Sequence, residues 1–149
     1  TAAAVTAIDL SAEALAIAQE NATKLGAEVR FLADDVLQGV PQLGNEQFDI
    51  IVSNPPYIPI SEREAMHINV TNFEPAMALF VEDSDPLIFY REIARIAKSR
   101  LSDRGALLFE IHELLADKTL QMLQSEGFEA ELRHDFLNKP RMICCHKRE

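Results

Sequence analysis

Cysteine is almost missing: Cys144 and Cys145 are the two among 149 residues, and they are adjacent. Sequence neighbours sit too close for an ordinary disulfide, and neither belongs to a Cys-x-x-Cys pair. Both therefore read as reduced packing residues rather than metal ligands. Long hydrophobic runs are missing too, none approaching the ~20 residues that span a bilayer. The first residues, TAAAVTAID, carry none of the basic charge that opens a signal peptide. A cytoplasmic setting is the expectation. Basic residues are in short supply, 14 against 24 acidic, for a formal charge of −10. That balance repels a phosphate backbone and disfavours nonspecific nucleic-acid binding, while leaving room for a local basic patch.

What is present is an alternation of strand and helix patterns with no internal repeat, in a length that suits about one domain. Val5 to Ile8 reads as a strand ending at Asp9. Ser11 caps a helix whose expected buried face is Ala14, Leu15, Ala18, Ala22 and Leu25, with Gly26 ending it. Val29 to Leu32 and Phe48 to Ser53 read as strands, joined by a loop containing Gly39, Pro41 and Gly44. Asp85 is placed to cap a long helix with Pro86 in its first turn, its stripe being Leu87, Tyr90, Ile93, Ile96, Ala97 and Leu101. After a turn at Gly105 come a strand over Ala106 to Ile111, a helix over Leu114 to Ser125 ended by Gly127, and strands over Phe128 to Arg133 and Met142 to His146. Such alternation implies an α/β doubly wound domain with a mainly parallel sheet, and a ligand site beyond the carboxyl ends of its strands.

The stretch SNPPYI, residues 53 to 58, stands at one of those ends. Pro55 and Pro56 remove two backbone donors and fix two φ angles, so the ladder stops at Asn54 and a stiff platform follows, bearing one carboxamide and one aromatic ring. Asp9, closing the first strand, stands where a dinucleotide-type fold puts a carboxylate for ribose hydroxyls; the alternative is an acid stabilised by the helix N-terminus. Asp35, after the second strand, is similarly placed for an adenine or ribose edge, or for loop solvation. Glu110, His112 and Glu113 lack the HExxH helical spacing, so no metal is expected there. Glu74 has two readings, a substrate contact or a lock on the loop.

Asn54-Pro55-Pro56-Tyr57 resembles the motif of S-adenosylmethionine-dependent methyltransferases that act on nitrogen of a planar group. NPPYIP together with FEPAMALF at 73 to 80 and DPLIFYREI at 85 to 93 is similar to the HemK-type enzymes, which methylate a glutamine side-chain amide in peptide chain release factors. The resemblance covers nearly the whole chain and implies a Rossmann-like class I methyltransferase domain over 1–149 with an antiparallel C-terminal strand. It assigns the acceptor amide to Asn54, Pro55, Pro56 and Tyr57, and S-adenosylmethionine to Asp9, Leu10, Asp35, Val36 and Asn54, with Leu10 and Val36 against adenine. An amide nitrogen is a poor nucleophile, so geometry is the main lever: the Asn54 side-chain oxygen and the Pro55 carbonyl accept its two hydrogens, and Tyr57 holds the group flat.

The resembled family also has a glycine-rich loop ahead of its acidic strand end, and here no glycine precedes Gly26. The sequence therefore looks like the C-terminal part of a larger enzyme. Its strands ending at Asp9 and Asn54 are then expected either to pair directly or to take a second copy of the chain. His112 departs from the family, which carries a smaller residue there. Two other functions stay open: an amino methyltransferase acting on adenine or guanine in DNA or RNA, which the acidity disfavours, and an inactive fragment that binds no cofactor. Methyl transfer to protein against nucleic acid separates the first, and calorimetry with S-adenosylmethionine the second.

Overall fold

The structure is a computed structural model and describes residues 3–66 and 75–148. Glu74 and His67 lie outside the described residues. The chain divides into two compact units, Thr1–Gly44 and Asn45–Glu149.

The first unit is a single βαβ turn of chain. Strands β1 (Val5–Asp9) and β2 (Val29–Ala33) run parallel in register from Val5 opposite Val29 to Asp9 opposite Ala33, with helix α1 (Ala12–Leu25) as the crossover. Ser11 begins the helix as expected, its hydroxyl accepting the Ala14 N–H at 3.1 Å. Gly26 ends it in the left-handed region, φ 64°, where a side chain would strain the backbone. Of the expected buried face only Ala22 is buried; Ala14 is exposed and Leu25 is 82% exposed. A two-stranded sheet gives a helix little surface to cover, so the stripe is wider than what it meets. The loop after β2 holds two 3-10 turns, Val36–Gln38 and Pro41–Leu43, pinned by buried Val40 and Leu43.

The second unit carries a four-stranded sheet in the order β3 (Phe48–Ser53), β6 (Leu101–Glu110), β8 (Pro140–Lys147), β7 (Phe128–His134). β3 and β6 are parallel; β8 runs antiparallel to both of its neighbours, as expected for the last strand. Between β3 and β6 in sequence lie a second, two-stranded parallel pair, β4 (Ile58–Pro59) with β5 (Phe80–Val81), and the helices α2 (Ala76–Leu79) and α3 (Ile88–Arg100). Helix α4 (Ala116–Ser125) joins β6 to β7 after a 3-10 turn over Glu113–Leu115. The core is Tyr90, Ala94 and Ala97 from α3, Leu107 and Phe109 from β6, and Leu123, Phe128, Ile143 and Cys145. Alternation of Gly105, Leu107 and Phe109 is the period-two signature of a strand facing a core. No helix of the described residues is long and apolar enough to cross a membrane.

Three expectations are corrected. Gly105 makes no turn: it lies inside β6, where the register against β3 jumps from Phe48–Leu101 to Ile50–Ala106 and the backbone of Phe48 comes close. Asp85 is not the helix cap. α3 starts three residues later at Ile88, and the Asp85 carboxylate instead takes both terminal guanidinium nitrogens of Arg91, at 2.8 and 3.1 Å. Finally, β1 has β2 as its ladder partner and β3 has β6, so the strands ending at Asp9 and Asn54 do not pair directly.

Candidate active site

In the first unit, the parallel register brings the carboxyl ends of β1 and β2 side by side, so Asp9–Leu10 and Asp34–Val36 share one end of the pair. Asp9 is exposed; its Oδ1 accepts the Ser11 N–H at 2.7 Å, and its other oxygen has no partner among the described residues. Leu10 is 57% exposed and Val36 half-buried. Asp35 spends Oδ1 on the Leu37 N–H at 2.9 Å and caps the 3-10 turn. Asp34 was not singled out from sequence, yet it organises this end: Oδ1 accepts the Asp35 N–H at 3.0 Å and Oδ2 the Gln42 N–H at 2.9 Å. Its signal was available, since an acidic residue just past a strand is well placed to bond backbone amides of the loop.

In the second unit, β3 stops at Ser53 and the platform follows. Asn54 is exposed, Pro55 buried, Pro56 and Tyr57 half-buried. The Asn54 carboxamide has no hydrogen-bond partner among the described residues. Beyond the prolines the chain resumes pairing: Tyr57 donates its N–H to the Leu79 carbonyl at 3.3 Å, and Ile58 and Pro59 lie opposite Phe80 and Val81. The FEPAMALF segment, in its described part, is thus what braces the platform. Ser61 adds a clasp, its N–H and hydroxyl both bonding Asp83 Oδ1 at 3.1 and 2.8 Å.

Tyr57 is held at its far end by residues that sequence reasoning had set aside. Its hydroxyl donates to Glu110 Oε1 at 3.1 Å, at the end of β6. Burial, and then the Glu110 carboxylate, push the phenol above its ordinary range, so it remains a donor. His112 meets the Tyr57 ring edge-on, centroids 5.8 Å apart with an 82° interplanar angle. Glu62 closes the group, 3.1 Å from His112 Nε2. Behind them Tyr90 donates its hydroxyl to the Glu110 carbonyl at 3.0 Å and stacks edge-on with Phe109. A pocket of about 380 Å³ opens beside Tyr57, bordered by Glu62, His112, Leu114 and Arg141. Its volume lies within the range of small-ligand sites.

Comparison with known proteins follows the geometry. A family model described as methyltransferase small domain matches residues 1–82. The release factor glutamine methyltransferase of Flavobacterium psychrophilum is 44% identical over 142 residues, 95% of this chain and 49% of that protein. That of Bacteroides thetaiotaomicron is 39% identical over 144 residues, covering 96% and 51%. The chain spans about half the length of the curated relatives it matches. Among solved structures, a methyltransferase from Pyrococcus furiosus superposes with a TM-score of 0.67 at 16% identity, over 97% of this chain and 64% of that one. At that identity the likeness speaks for the fold.

Proposed function

Because the chain belongs to the methyltransferase small domain family, we propose that its 149 residues form part of the catalytic domain of an enzyme methylating the side-chain amide of a glutamine in a peptide chain release factor. The single observation that carries this reading is the platform: an exposed Asn54 carboxamide without a partner among the described residues, next to a tyrosine braced at both ends. The names of the relatives, at up to 44% identity, supply the substrate class. The fold agrees, an α/β Rossmann-like domain with a mixed sheet whose last strand is antiparallel.

On this reading S-adenosylmethionine supplies an electrophilic methyl group on a positively charged sulfur. The donor set at the ends of β1 and β2 fits such a cofactor: Asp9 offers an unengaged carboxylate oxygen to ribose hydroxyls, and exposed Leu10 with Val36 offers apolar surface to a base. Asp35 keeps one oxygen beyond its cap for the same purpose. For the acceptor, Asn54 Oδ1 and the Pro55 carbonyl take one amide hydrogen each, which turns the nitrogen lone pair toward the methyl carbon. Pro56 keeps that turn rigid. Tyr57 packs on the planar group, a contact worth about 1 kcal/mol.

The setting is cytoplasmic, and the free edges of β1 and β3 are open to a second copy of the chain. The test is radiolabelled methyl transfer by the full-length natural protein to a release factor, to DNA and to RNA. We expect label on the release factor, lost in a variant whose acceptor glutamine is replaced, and a fall in kcat of about 100-fold for Asn54→Ala. Label on nucleic acid alone would defeat the glutamine reading.

A further inference from the structure

Three contacts meet at His112, a residue the comparisons leave without a role. Its Nδ1 accepts the Leu114 N–H at 3.1 Å, which requires a lone pair on that nitrogen and so places the ring proton on Nε2. Nε2 points at Glu62 Oε2, 3.1 Å away, in the geometry of a donor facing a carboxylate. The ring edge abuts Tyr57, and the His112 side chain is only 12% accessible. Each partner comes from a different element: Leu114 from the turn after β6, Glu62 from the 3-10 segment Ile60–Ala65, Tyr57 from the platform.

We propose that His112 is a positioning residue for the acceptor site, fixing the plane of the Tyr57 ring while it is neutral and protonated on Nε2. The proposal rests on the glutamine reading for its catalytic consequence. Tyr57 without His112 keeps its backbone bond to Leu79 and its hydroxyl bond to Glu110, which together fix two ends of the side chain but leave the ring free to roll about the line between them. The imidazole edge removes that last freedom. Glu62 in turn keeps the imidazole from swinging.

Protonation breaks the arrangement at one point. A second proton on Nδ1 sets it against the Leu114 N–H, donor facing donor, and the local cap opens. The charged and titratable groups that line the pocket with the imidazole are Tyr57 and Glu62 from the platform side, Glu113 of the turn after β6, and Arg141 of β8; Glu110 bonds the Tyr57 hydroxyl, with Tyr90 of α3 behind it.

The experiment uses the full-length natural protein with 15N-labelled histidine and 13C-labelled tyrosine. Nitrogen shifts identify the His112 tautomer, and the Tyr57 ring resonances, assigned with Tyr57→Phe, should broaden in His112→Ala. In the transfer assay His112→Ala should lower kcat about tenfold, with donor KM within about twofold of wild type. His112→Gln, which keeps an N–H for Glu62, should restore most of kcat. An Nδ1–H tautomer, Tyr57 resonances indifferent to His112→Ala, or an unchanged kcat in His112→Ala would overturn the proposal. If the wild-type protein transfers no methyl group to a release factor, the glutamine reading fails, and the tyrosine resonances alone decide the role of His112.

Discussion

Tyr57 and Cys145 show what burial does to two weak acids on the same unit. The phenol gains a partner, Glu110, and stays a directed donor, whereas the thiol sits in the core and is pushed up to about 12 by burial. Cys145 should therefore resist alkylation: at pH 8 its thiolate fraction is on the order of 10⁻⁴, against a half-buried Cys144 on the opposite face of β8. Iodoacetamide followed by peptide mass spectrometry should place a single adduct on Cys144, and comparable labelling of both would contradict the packing. At this scale the sequence was readable where chemistry is local. Asn54 through Tyr57 announce themselves because two prolines must end a strand. Glu62 and His112, 50 positions apart, share no periodicity or spacing, and only the fold brings them to the same ring.

The elements themselves were legible wherever one face is buried against a partner. β3 runs over Phe48–Ser53 as its apolar run predicts, and α3 buries Tyr90, Ile93 and Ala97 of the expected stripe, with Ala94 beside them. β6 was misjudged at its start, expected at Ala106 after a turn at Gly105; Ser102, Asp103 and Arg104 instead extend a bulged strand whose polar side chains stay out of the core. Gly105 is what that bulge requires. An added Cβ would lie 2.9 Å from Leu101 Cδ2 and 3.1 Å from the Phe48 carbonyl, and Leu101 is fully buried with nowhere to retreat. Gly105→Ala should cost about 1–3 kcal/mol in chemical denaturation; a smaller loss would mean the bulge relaxes. Before α3, the Arg91 guanidinium holds the Asp85 carboxyl below its usual range. A depressed carboxylate stabilises the fold above its unfolded value of about 3.9 and loses that contribution as pH falls through the folded one. The pair is partly exposed, 28% and 40%, so Asp85→Asn should cost at most about 1 kcal/mol at pH 7, and wild type and variant should converge as pH falls through the folded value. A gap that persists in acid would point to packing instead of charge.

For the molecule as a whole, the alternation of strands and helices made a mainly parallel α/β sheet readable, while the antiparallel last strand came with the resemblance carried by NPPYIP, FEPAMALF and DPLIFYREI. The division at Gly44 was not, because no change of composition marks it. The ladder of β3 is likewise one-sided, with Ile50 61% and Val52 71% exposed along the strand. Opposing any use of that edge is a net charge of −10 on every copy. Mutual repulsion of two such molecules reaches only as far as the ionic atmosphere allows, about 8 Å at physiological ionic strength and roughly 3 Å in 1 M salt. Self-recognition should accordingly be a matter of mass action gated by electrolyte: light scattering of the 149-residue chain should give a monomer mass when dilute at low salt and drift upward on concentration or added sodium chloride. A mass indifferent to both would mean that a naked strand, in this molecule, is already sufficiently protected by its own counter-ions and twist.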